Sequence, residues 1–169
     1  MLRPANLLAI VTLFQTPQRS LFESLLAPLQ SMLERSSALA RSLSHSLFVA
    51  ELVHRLSERK VGCPASASLH YYCASPHAWC CCPVPQAIVL TSLLKMLLCV
   101  FEAAERPWDL LVEHSLVAPI SRLAHNRRMV VVRGIAQRLL ASFQPVARAQ
   151  LSSQHASRGH PTSASTASA

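Results

Sequence analysis

With 169 residues and 51% hydrophobic content the chain has enough apolar surface for one core of its own. Gly, Asn and Asp together number only six (Gly62, Gly134, Gly159, Asn6, Asn126, Asp109), where Gly alone at its usual frequency would supply about twelve. The tight φ > 0 turns of an all-β fold are therefore hard to build, and long helices joined by Pro- and Ser-rich connections fit better. Charge is divided unevenly: residues 1–113 carry nine basic and eight acidic groups, whereas residues 114–169 carry seven arginines and no acid.

That asymmetry points to an anionic partner, either nucleic acid or an acidic membrane surface. A GC-rich coding region, which encodes Arg in preference to Lys, would give the same balance. The six cysteines include three adjacent ones, which rarely satisfy disulfide geometry with each other. A reducing, intracellular setting is favoured over a secreted disulfide framework.

In chain order, Arg3 and the apolar Leu7 to Phe14 resemble the first two regions of a secretory signal, but Gln15-Thr16-Pro17-Gln18-Arg19 offers no pair of small residues for cleavage. The early lack of acid would also suit a mitochondrial presequence until Glu23 and Glu34. An ordinary hydrophobic N-terminal helix is the expectation. Residues 1–60 then form an amphipathic helical region. Phe22, Leu26, Leu29, Leu33, Ala40, Leu43, Leu47 and Ala50 recur at steps of three, four or seven and make one apolar stripe. Glu23, Arg35, Arg41, Glu51, Arg55 and Glu58 lie mostly off it, in solvent. Pro28 should end or kink the first helix, and Ser36-Ser37 should cap a second.

Residues 61–86 read as a Cys/His/Pro-rich loop broken by Pro64, Pro76, Pro83 and Pro85. It contains two His-x-x-Cys pairs, His70 with Cys73 and His77 with Cys80, which together could supply the four ligands of tetrahedral zinc. The spacing matches no zinc-specific pattern, and no Cys-x-x-Cys occurs. The triplet Cys80, Cys81, Cys82 stands just before an apolar segment, a setting that suits S-acylation, since each buried CH₂ of an acyl chain adds about 0.8 kcal/mol of membrane affinity.

Residues 87–149 read as an apolar helix followed by an Arg-rich helical region. Ala87 to Phe101 is apolar apart from Thr91, Ser92 and Lys95. It is short of the roughly twenty residues a spanning helix needs, so burial is expected. Met129 to Val132, rich in β-branched residues, is the one strand-like run, with a helix from Ile135 to Phe143 after it. From Gln150 the composition shifts to Ser, Ala, Thr, His and Pro, and residues 150–169 are expected to form a disordered tail.

Catalytic constellations are missing: there is no Gly-rich phosphate loop, no His-Glu-x-x-His and no Gly-x-Ser-x-Gly. A triad using Asp109 and His114 would need an arbitrary choice among twenty-two serines. No small-molecule substrate is implied. Arg122, Arg127, Arg128, Arg133 and Arg138 form an anion-binding set able to neutralise phosphates. With only Phe143 as an aromatic platform nearby, any nucleic-acid binding would be weak and nonspecific.

The expectation is a mainly α, incompletely compact, basic and non-enzymatic protein that associates with a membrane or protein partner through Leu21 to Leu56 and Ala87 to Phe101. A zinc-stabilised interaction module built on the Cys/His loop is the alternative. A third reading takes the scarcity of turn formers and acids as the mark of an antisense or alternative reading frame under no selection for a fold.

Overall fold

The structure is a computed structural model and describes residues 4–45, 47–58 and 83–158. Among these residues there are eight helices and no strand: α1 (Pro4–Phe14), α2 (Arg19–Arg35), α3 (Ser37–Ser44), α4 (Leu47–Glu58), α5 (Pro83–Ala103), α6 (Pro107–Glu113), α7 (Val117–Ala124) and α8 (Val130–Arg158). The protein is mainly helical, as its poverty in turn-forming residues requires.

The centre is α5. A helix that is apolar over most of its circumference has to be largely enclosed, and α5, whose Thr91, Ser92, Lys95 and Glu102 keep to one outer stripe, is packed by α2, α3, α4, α6 and α8. Val89, Leu90, Leu93, Leu94, Met96, Leu97, Val100 and Phe101 are all buried. It begins at Pro83, earlier than the expected end of the preceding loop. Pro83 and Pro85 stand in its first turn, where a missing N–H removes no helical hydrogen bond. Twenty-one residues make it longer than the expected fifteen, and by length and composition it could cross a bilayer. Half of its most apolar window is nevertheless buried against the other helices.

The N-terminal helices build one wall around α5. Val11 and Phe14 of α1 are buried, and the Phe14 ring packs edge-on against Phe22 and tilted against Phe48, with centroids 5.1 and 5.0 Å apart. Phe22, Leu26, Leu29 and Leu33 make the buried face of α2. Pro28 does not end that helix. It lies on the exposed side of α2, away from the buried Phe22, Leu26, Leu29 and Leu33 that hold the helix to the core. Ser36 caps α3 as expected, its Oγ accepting from the Leu39 N–H at 3.2 Å.

The predicted stripe holds through Leu43 and then fails. The chain leaves the helix at His45 and α4 starts at Leu47, so the phase is reset. Leu47 is 68% exposed and Ala50 half-buried, while Phe48, Val49, Leu52 and Leu56 enter the core instead. Nor does Arg55 lie in solvent. Its Nε bonds Glu51 Oε1 at 2.7 Å, its Nη2 donates to the carbonyls of Phe14 (3.3 Å) and Thr16 (3.2 Å), and the guanidinium sits 4.7 Å over the Phe22 ring. One side chain thereby closes the carbonyl end of α1 onto α2 and α4.

The turn between α6 and α7 shows how the chain manages with few glycines. Ser115 adopts a left-handed φ of 48°. The Leu116 N–H reaches the Leu111 carbonyl and the Ser115 N–H reaches Val112, the two bonds of a Schellman motif. Leu111 and Leu116, which such a motif brings together, are both buried. A serine holds the position that usually falls to glycine.

Met129 to Val132 is not a strand. An isolated strand would leave its backbone groups unpaired, whereas the Arg133 N–H bonds the Met129 carbonyl at 2.9 Å and opens α8. The helix runs on past the expected Phe143, carrying Pro145 on an exposed position, and past Gln150 to Arg158. The remainder of the expected tail, 159–169, lies outside the described residues.

Candidate anion-binding surface

The zinc set His70, Cys73, His77 and Cys80 and the acylation set Cys80, Cys81 and Cys82 lie outside the described residues. The arginine set is described in full. Arg122 lies on α7, Arg127 and Arg128 in the connection, and Arg133 and Arg138 on α8. All are exposed except the half-buried Arg133.

Four of the eight acidic residues form ion pairs with other arginines. Arg19 pairs with Glu23 at 2.8 Å, Arg55 with Glu51 at 2.7 Å, Arg41 with Glu105 at 3.8 Å and Arg106 with Asp109 at 3.8 Å. Among the described residues no acid pairs with Arg122, Arg127, Arg128, Arg133 or Arg138, and the first turn of α8 holds no acid to offset the positive end of the helix. Charge, dipole and unpaired first-turn N–H groups therefore share one sign at this end of the molecule.

The connection is held by its own backbone. His125 closes α7, its N–H bonding Ser121 O at 3.2 Å with ring Nδ1 2.7 Å from the same oxygen. The Asn126 N–H bonds Leu123 O, and Asn126 Oδ1 accepts the Arg128 N–H at 2.9 Å. This Asx-type turn directs the chain into α8. Asn126 is 8% exposed, and its Nδ2 is buried without a hydrogen-bond partner.

Packing sorts the sides of α8. Val132, Ala136, Leu139 and Phe143 go inward, with the Phe143 ring tilted against that of Phe101 at 4.8 Å between centroids. Outward go Val130 and Val131, 63% and 64% exposed, followed by Gly134, Gln137, Arg138, Ala141, Pro145 and Arg148. The outer face thus joins apolar and cationic groups with no acid. The exposed valines were concealed by the strand-like composition of their run, although placing Val132 inward in a helix turns its two predecessors out. Asn126 gave a sequence signal as a turn former two residues before Arg128.

Asp109 and His114 line a cleft of about 590 Å³ with Ser44, His45, Glu105 and Arg106. Asp109 pairs with Arg106, and the Ser44 hydroxyl donates to the Arg41 carbonyl at 2.7 Å. Burial, reinforced by Glu34 and Glu102, pushes the Cys99 thiol up, away from the reactive thiolate. Comparison with protein-family models, curated proteins and solved structures finds no match for this chain.

Proposed function

We propose that this chain is a non-enzymatic, basic helical protein that associates peripherally with an anionic partner surface through the arginines of α7, α8 and their connection. The observation that carries the reading is the segregation of charge: every acid lies at or before Glu113, and the arginines beyond it extend from the fold without acidic partners among the described residues. The apolar residues of Leu21 to Leu56 and Ala87 to Phe101 are largely committed to the core, so they are unavailable for association in this form. Long-range attraction needs only the exposed charge, and it weakens with salt because the sites are open to solvent.

Retention of the full chain on immobilised heparin, eluted with a salt gradient, tests this. Replacing Arg127, Arg128, Arg133 and Arg138 by Gln should lower the eluting salt substantially, whereas Arg19→Gln, which removes a cation already paired with Glu23, should change it little. Equal elution of the quadruple variant and the unchanged chain would overturn the reading.

A further inference from the structure

We infer that the anionic partner is a lipid bilayer, entered at the head of α8 by Val130 and Val131 while the surrounding arginines hold the headgroups. The inference rests on the electrostatic reading above and adds an apolar component that a purely electrostatic partner would not use. Val130 and Val131 are among the most exposed large apolar side chains described, and they stand side by side on the first turn of α8. Arg127 and Arg128 precede them by a few residues, Arg133 follows, and Arg138 lies one heptad beyond Val131 on the same side of the helix.

Two β-branched residues on the outer surface of the helix cost solvation and contribute nothing to the core, which takes Val132 from the run and has Met129 packed against it. Flanked by unpaired cations, they match the layered chemistry of an anionic interface, with phosphates at the level of the guanidinium groups and acyl carbons just beneath. Nucleic acid satisfies the charge and offers the valines no apolar layer. Farther along α8, Gly134, Ala141 and Pro145 on the outer face are small or apolar, and Arg138 and Arg148 are its exposed cations. The helix can therefore lie close to the headgroups without burying an acid. The contact is peripheral, since α5 stays in the core.

The test is co-sedimentation of the full chain with large vesicles, either of phosphatidylcholine alone or containing phosphatidylserine, at low and high salt, with heparin retention measured in parallel. The unchanged chain should bind the phosphatidylserine vesicles and leave a fraction bound at high salt. V130S/V131S, checked by circular dichroism for unchanged helicity, should bind these vesicles about tenfold or more weakly and lose the salt-resistant fraction, while its heparin elution stays as it was. Equal vesicle binding by V130S/V131S and the unchanged chain overturns the insertion and leaves the electrostatic reading standing. Heparin retention without vesicle binding overturns the bilayer as partner. If neither heparin nor vesicles retain the chain, the electrostatic reading falls with it.

Discussion

Ser115 is the residue at which the scarcity of glycine meets a backbone requirement. Its φ of 48° is disfavoured for a residue with a Cβ. Ser115→Gly should therefore raise stability by about 1 kcal/mol in chemical denaturation, and a loss would show that the serine side chain is needed there. Arg55 is the opposite case, a charged residue read as solvated because its spacing put it off the stripe, yet only 12% exposed beside a Glu51 that is 14% exposed. Its partners, two carbonyls near the end of α1 and the face of Phe22, come from distant positions in the chain, which local spacing does not encode. Arg55→Ala should cost about 3 kcal/mol, because Glu51 would be left largely buried and uncompensated. Arg55→Lys should recover only part of that, since an ammonium lacks the planar fork. At Cys99 the raised thiol pKa means less thiolate at any given pH below it. Alkylation of the native chain, followed peptide by peptide, should lag behind that of the unfolded chain at pH 8, and the lag should narrow as the pH rises. Equal rates in the folded and unfolded chains would contradict the burial of that thiol.

At the scale of the helices, periodicity located α2 and α3 and the Ser36 cap because each depends on residues within a turn or two. The failure at Leu47 came from a break of only a few residues, enough to rotate every later position. Leu43→Ala should accordingly cost about 2–5 kcal/mol as a core truncation, while Leu47→Ala, on a side chain 68% exposed, should stay within about 0.5 kcal/mol. Comparable losses at the two positions would mean the stripe continues through the break after all. The composition of Met129 to Val132 suggested a strand, but β propensity is realised only with a neighbouring strand to pair with, and none is found among the described residues. Pro28 was legible as a breaker, but not the tertiary packing of Phe22, Leu26, Leu29 and Leu33 on both sides of it, which holds α2 as one helix.

For the whole molecule, the arrangement of α5 inside the other helices and of the cationic face outside follows from two broad features of the sequence: a long, mostly apolar helix and an acid-free C-terminal third. That the arginines would lie in an acid-free segment was legible because charge segregation needs no knowledge of contacts, while their anion binding is a proposal. The exposure of the valines beside them was not, because it depends on which face of α8 the core claims. Amide hydrogen exchange of the full chain, with and without phosphatidylserine vesicles, tests the account most directly. The account predicts that α5 is among the slowest-exchanging segments in both conditions, and that vesicles add protection around residues 127–133. Rapid exchange of α5 in solution, or vesicle-induced protection confined to α5, would contradict it.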